Sequence, residues 1–272
     1  MALAALLGCA QAAESQELPL RETMTYADLA DLALEAPVAA HVRVERARAL
    51  SRREAPTAPA GHRRFLIEAG VVALIRGEGG LPERVRWLVD LPDDARGRRA
   101  RVARRSEWLV LATRVPGRPD ELRLAAPDGQ IAFTAAAAER LRSILREAAG
   151  PDAPPRITGI GRAFHVPGSL PGESETQIFL LTEDNRPISL SVLRRPGERP
   201  RWAVALGEMV DEAAAAPAAD SLLWYRLACT LPPALPAQSL RDASSDEARA
   251  IRADYRVVSE GLGPCVRRRA RR

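Results

Sequence analysis

Hydrophobic residues recur along the chain at two spacings, and the two alternate in blocks. Near the start, Leu29, Leu32 and Ala33 share one face of a helix that opens around Thr25 and stops before Pro37, because the residue preceding a proline avoids helical backbone. From residue 41 the period drops to two. Residues 41–45 alternate, residues 65–75 are rich in β-branched and bulky apolar side chains, and Val85, Trp87, Val89 and Leu91 line one face of a strand. Residues 108–112 and 122–124 continue the series, with Val115-Pro116-Gly117 suiting a type II turn between them. The arginine-bearing segment 93–106 has neither period and reads as a loop. At Thr134 helical spacing returns, with Leu141, Ile144, Leu145 and Ala148 at i, i+3, i+4 and i+7.

Residues 150–155, Gly-Pro-Asp-Ala-Pro-Pro, form the clearest linker. A second β series follows: residues 157–164, residues 177–182, a strand carrying Ile188, Leu190 and Val192, and one carrying Trp202, Val204 and Leu206. Turn chemistry at Asp184-Asn185-Arg186-Pro187 and Arg195-Pro196-Gly197-Glu198 makes these an antiparallel meander. The remainder is helical. Asp220 is placed to cap a helix carrying Leu223 and Leu227, which stops before Pro232. Ser244 and Glu247 have the spacing of a capping box, ahead of an apolar stripe of Ala248, Ile251, Tyr255 and Val258 that ends at Gly261.

The expected class is α+β. In residues 25–149, a long first strand, a second running into Arg76-Gly77-Glu78-Gly79-Gly80 and then a third resemble the start of an OB fold, so this part is expected to be an antiparallel OB-like β-barrel or sheet with a helix. Residues 156–265 are expected to hold a second antiparallel β-meander packed by a C-terminal helical hairpin. Residues 266–272 form an Arg-rich tail expected to fray.

Residues 1–13 are signal-like. An apolar run over residues 2–8 precedes Ala10-Gln11-Ala12, an Ala-x-Ala cleavage pattern, although a positive n-region is missing. The expected location is therefore periplasmic or exported. Two alternatives stay open: Leu6-Leu7-Gly8-Cys9 resembles a lipobox, which would make Cys9 a lipid anchor, and a start at Met24 would leave the protein cytoplasmic. No stretch approaches the ~18 uncharged apolar residues that a spanning helix needs.

Hydrophobic residues make up 46% of the 272, which argues against a disordered chain. All 40 basic residues are arginine. The absence of lysine removes Schiff-base chemistry, the phosphate-loop lysine and Ser–Lys pairs. The formal charge is +5, with arginines clustered at 96–105 and 267–272. Acidic residues are interleaved through most of the chain and no cluster is studded with stacking aromatics, so a protein or small-molecule partner is expected rather than nucleic acid.

Candidate chemistry is sparse. The three histidines His41, His62 and His165 have no metal spacing, and His41, in a strand pattern, is expected to face solvent. Gly159-Ile160-Gly161 begins like a dinucleotide loop but has Phe164 in place of the third glycine. No cofactor, metal or catalytic residue is assigned. The candidate functional loop carries His165, Ser169, Glu173, Ser174 and Glu175 among Gly and Pro. A hydrolase using His165 with Ser169 or Ser174 is the alternative to a non-enzymatic binding protein, although neither serine has a Gly-x-Ser-x-Gly frame. Removal of a leader containing Cys9 leaves Cys229 and Cys265, which are expected to form a disulfide; two buried free thiols are the other reading.

Leu88-Val89-Asp90-Leu91-Pro92, Glu175-Thr176-Gln177-Ile178-Phe179 and Trp224-Tyr225-Arg226-Leu227-Ala228-Cys229 together resemble a family of uncharacterised exported proteins of GC-rich bacteria. The resemblance implies export and this architecture, and no mechanism.

Overall fold

A computed structural model describes residues 24–94, 96–207 and 214–269. The signal-like segment, with Cys9, lies outside them. The described residues fold as two sheets and four α-helices, in the α+β class expected.

The first sheet closes on itself. Strands β1 (Val38–Ala49), β2 (His62–Arg76), β3 (Arg84–Pro92), β4 (Glu107–Val115) and β5 (Arg118–Leu124) run in the order β1-β2-β3-β5-β4, and β1 pairs with β4 to complete an OB-like barrel. The pairing is mixed rather than wholly antiparallel, because β3 and β5 run parallel at Arg86 and Trp87. One strand can serve both edges because β1 is long and bends, with register shifts at Ala39/Ala40, His41/Val42 and Val44/Arg46. The expected alternation fills the interior: Val42, Val44, Phe65, Ile67, Val85, Trp87 and Val89 are buried together. Trp87 is enclosed without loss because its indole N–H donates to Gln130 Oε1 at 2.6 Å. Gln130 belongs to β6 (Gln130–Ala132), a three-residue strand too short to leave a period in the sequence.

The surroundings of β1 correct the reading of His41. Its ring is buried, stacked on Phe133 with centroids 3.8 Å apart, and its Nε2 lies 2.9 Å from Glu107 Oε2. Alternation is kept, with Ala40 and Val42 facing the barrel interior and His41 the outer face, but Phe133 covers that face and removes the ring from solvent.

The second sheet has the order β10-β9-β8-β7, antiparallel throughout: β7 (Ile157–Pro167), β8 (Ser174–Thr182), β9 (Ile188–Arg194) and β10 (Arg201–Ala205). Helix α4 (Ser245–Leu262) covers it with Ala248, Ile251, Tyr255 and Val258, the stripe expected from the sequence. Its capping box forms as the Ser244–Glu247 spacing requires.

Helices α1 (Tyr26–Glu35), α2 (Ala135–Ala149) and α3 (Leu222–Ala228) join the halves. Leu29, Leu32 and Ala33 of α1 pack with Leu141 and Ile144 of α2, with Leu222 of α3, and with Leu109 and Leu111 of the barrel. Thr25 and Thr134 cap α1 and α2. Helix α3 begins one residue later than expected. Ser221, not Asp220, accepts the Trp224 N–H, while Asp220 takes a left-handed backbone at φ 57°. Although α3 follows the second sheet in sequence, it packs in the layer of α1 and α2.

Cys229 ends α3 and Cys265 follows α4, and the two form a disulfide with Cα atoms 5.0 Å apart. The expected fray of the tail does not occur at its base. Arg267 forks onto Asp31 at 2.8 and 3.2 Å, the backbone N–H groups of Arg268 and Arg269 donate to Asp28, and Arg269 forks onto Asp128 at 2.8 and 2.9 Å. Asp28 and Asp31 are buried on α1, and a carboxylate removed from water needs donors. The arginines of the tail supply them.

On the outside of the barrel, Arg64 of β2 forks onto Asp90 of β3 at 2.7 and 2.6 Å. This pair holds the Asp90 carboxyl below the usual aspartate range. A carboxylate with a depressed folded-state pKa contributes stability that is complete above the unfolded value, about 3.9, and is lost as the pH falls through the folded one. Asp90→Asn should therefore lower the urea midpoint at neutral pH, and the wild-type and variant curves should converge as the pH falls through the depressed folded-state value. A midpoint difference that persists undiminished into acid would show that the pair does not carry the effect.

Candidate functional site

The five residues of the candidate loop are dispersed into separate roles. His165 sits on β7 opposite Thr176 of β8 and turns inward, its side chain 14% exposed. Its Nδ1 lies 2.8 Å from the Thr176 hydroxyl, which itself donates to Asp254 Oδ2 of α4 at 2.5 Å. Since that hydroxyl hydrogen is spent on the carboxylate, Thr176 accepts from His165, which fixes the proton on Nδ1. Arg194 of β9 closes the set, its Nε 2.6 Å from Asp254 Oδ1. Glu173 is occupied by the loop backbone: its carboxylate accepts the N–H groups of Ser169 and Leu170 at 3.2 and 3.3 Å. Glu175 accepts from the Gln177 amide. Ser174 stands opposite Pro167 at the start of β8. Among the described residues, neither serine shares a hydrogen bond with His165.

The structure thus joins His165 to two residues that sequence reasoning passed over. Thr176 and Asp254 are both fully buried, so the chain His165–Thr176–Asp254–Arg194 pins α4 to three strands. It holds no accessible nucleophile, since the hydroxyl in it is sealed from solvent. A clue was present in the sequence: Asp254 lies three residues after Ile251 and four before Val258, so an acid occupies the apolar stripe of α4.

A different feature is open to solvent. Where α1, α2 and α3 meet the end of β2, a cleft of about 760 Å³ opens. Such a volume lies within the usual range for small-molecule sites. Its apolar wall is Leu34, Ile75, Leu145, Ala148 and Ala149. Five arginines, Arg76, Arg142, Arg146, Arg156 and Arg226, also line the cleft, with Asp31, Glu35 and Tyr225 as the remaining polar lining. Asp31 already receives Arg267 and the Tyr225 hydroxyl at 2.5 Å. Burial and the Asp31 carboxylate push the Tyr225 phenol up to about 12, so it remains a hydrogen-bond donor at any physiological pH.

The arginines differ in how far they are satisfied. Arg76 donates to the Ala33 carbonyl at 3.1 Å. Arg142 and Arg146 share Glu139 at 3.7 and 3.4 Å, and Arg156 reaches Glu183 at 3.6 Å, all of them long, solvent-exposed pairs. Arg226 is unlike these. Its Nε is screened from water and, among the described residues, has no hydrogen-bond partner. Burial pulls its pKa below the usual arginine value. The Tyr26 hydroxyl is likewise buried and without a hydrogen-bond partner among the described residues, but Tyr26 does not line the cleft.

On the barrel face formed by β2 and β3, where OB folds bind oligonucleotides and oligosaccharides, arginines are matched by acids. Arg84 meets Glu45, Arg86 meets Asp120 and Glu121, and Arg64 meets Asp90. Phe65 and Trp87 of these strands point into the core.

Among the described residues, no helix is long and apolar enough to cross a membrane. The chain matches no protein-family model and no curated protein.

Proposed function

We propose that this chain is a non-enzymatic exported binding protein that takes a small ligand into the cleft between α1, α2 and α3. The cleft itself carries this reading. It is concave, of ligand size, and lined by both apolar and polar side chains, most of them on helices α1, α2 and α3, as binding sites usually are. It also lies at the layer where the barrel and the second sheet are joined. Export is supported by the signal-like segment and by the Cys229–Cys265 disulfide, which suits an oxidising compartment. The hydrolase alternative has less support, because His165 spends its Nδ1 on Thr176 rather than on Ser169 or Ser174.

The test blocks the cleft without disturbing the core. Ala149 lies on its exposed lip, so Ala149→Trp fills the mouth and leaves the packed face of α2 unchanged. In a thermal-shift screen of small metabolites, compounds at about one hundred times their Kd should raise the melting temperature by roughly 5 °C or more. The same compounds should lose that effect on Ala149→Trp. A screen without a stabilising compound, or with compounds indifferent to Ala149→Trp, would overturn the proposal.

A further inference from the structure

We infer that the barrel end formed by residues 50–61 and 93–106 is a docking surface for an anionic lipid bilayer, held there by its arginines. The two segments join β1 to β2 and β3 to β4, so the strand order puts both at one end of the barrel. The Asp93 N–H ties them together by donating to the Gly61 carbonyl at 2.8 Å. Strand β2 runs from this end to the cleft, so a molecule docked here keeps the cleft turned away from the surface.

Charge singles this end out. Residues 50–61 and 93–106 hold eight arginines and three acids, an excess of five. The whole chain holds 40 basic and 35 acidic residues, the same excess, so everything outside the two segments is balanced. The three acids are spent within the end itself. Glu54 takes Arg48 and the Ser51 N–H and hydroxyl, Asp93 accepts the Ala100 N–H, and Asp94 holds Arg98 and the Arg96 N–H. Arg53, Arg96, Arg99, Arg101, Arg104 and Arg105 are exposed, and none of them forms an ion pair among the described residues. Both segments are pinned from beneath: Ala55 and Ala58 are buried, and Ala100 and Val102 pack on the barrel core. Arg105 is held in a left-handed backbone, φ 63°, with its N–H donating to the Val44 carbonyl at 2.9 Å. Like charges fixed so close together repel, and an anionic partner offsets that repulsion.

The class of partner follows from what this end lacks. Among the described residues, neither segment exposes a large hydrophobic side chain, and neither contains Phe, Trp or Tyr. A protein partner would need an aromatic or aliphatic anchor at the centre of the contact. A single-stranded nucleic acid would need aromatic platforms, and a duplex would need a helix or strand to enter its groove. A bilayer of anionic lipids needs none of these. Its phosphates lie in a plane, a guanidinium forks onto phosphate oxygens, and each arginine near that plane contributes about 1 kcal/mol. Without an apolar anchor the contact stays at the headgroups and is reversed by salt.

The experiment uses the full disulfide-bonded chain and co-sedimentation with vesicles of phosphatidylcholine alone, or of phosphatidylcholine with about one-third phosphatidylglycerol. The chain should sediment with the anionic vesicles at about 0.05 M salt, stay in solution with the neutral ones, and be released at about 0.5 M salt. Arg99→Gln, Arg101→Gln and Arg104→Gln combined should weaken binding about a hundred-fold, roughly five-fold for each charge. The melting temperature of this variant should not fall, because the three side chains have no ion pair to lose. Arg249→Gln, Arg252→Gln and Arg256→Gln combined remove the same charge from the exposed face of α4, over the second sheet, and should change vesicle binding by less than about three-fold. Equal losses in the two triple variants would mean that the bilayer reads net charge and not this end, and would overturn the inference. So would failure to bind anionic vesicles at low salt, or equal binding to neutral ones. Release from vesicles by glycerol 3-phosphate at constant ionic strength would replace the docking surface with a site for one free phosphate. Binding to duplex DNA tighter than to vesicles of equal phosphate content would make nucleic acid the partner. Either result overturns the bilayer assignment.

Discussion

Cys229→Ser paired with Cys265→Ser should lower the stability of the chain by about 4 kcal/mol, the chain-entropy value for closing a loop of this length. The bridge spans 36 residues and ties the end of α3 to the segment after α4. Its loss is felt in two places. The unfolded chain regains the freedom of that loop, and Arg267 loses a fixed base from which to reach Asp31, since Arg267 also donates to the Cys265 sulfur at 3.0 Å. Urea unfolding of the oxidised wild type and the double variant measures the difference, and wild type unfolded under reducing conditions should follow the variant. A difference below about 1 kcal/mol would mean that the Arg267–Asp31 contact and the packing of α3 hold this end without the bridge.

Asp254→Ala should destabilise the second sheet and its helix by about 3 kcal/mol, the lower end of the range for breaking a buried ion pair, because Arg194 keeps some access to water. The substitution leaves the Thr176 hydroxyl without its acceptor and returns Arg194 to solvent unpaired. Asp254→Asn keeps an acceptor for Thr176 and should cost less. The order of the two variants in urea midpoint is the diagnostic. Equal losses would assign the effect to the Arg194 charge alone, and a negligible loss in Asp254→Ala would show that α4 is held by its apolar stripe.

The parts of this molecule that were legible in its sequence are those fixed by local chemistry. The alternation of Val85, Trp87 and Val89 became an inward strand face, Thr134 and the Ser244–Glu247 pair became helix caps, and the cysteine count became a bridge. What escaped was set by length and by distance. Phe133, more than ninety positions along the chain, covers His41 on the outer face of β1, and β6 is only three residues long. The cleft could not be read at all, because Asp31, Arg76, Arg142 and Arg226 come from four elements with no shared period. The candidate loop drew notice for its polar residue types, yet Glu173 is spent on the loop backbone, Glu175 on Gln177 and His165 on Thr176. The residue that completes the His165 network, Asp254, lies 89 positions after His165, where only the anomaly of an acid within an apolar stripe marks it.

The clasp between α1 and the base of the tail bears on the order in which the chain can fold. Arg267 meets Asp31 across a sequence separation of 236 residues, and Arg269 meets Asp28 across 241. Contacts so distant carry the largest loop-closure cost and form after local pairings have shortened the path between them. The barrel hairpins and the meander can assemble as the chain emerges, but α1, among the first described residues to appear, must wait for α3 and for residues 267–269 before its two buried carboxylates are answered. During synthesis α1 is therefore the element left unsatisfied for longest, presenting Leu29 and Leu32 to whatever escorts the nascent chain.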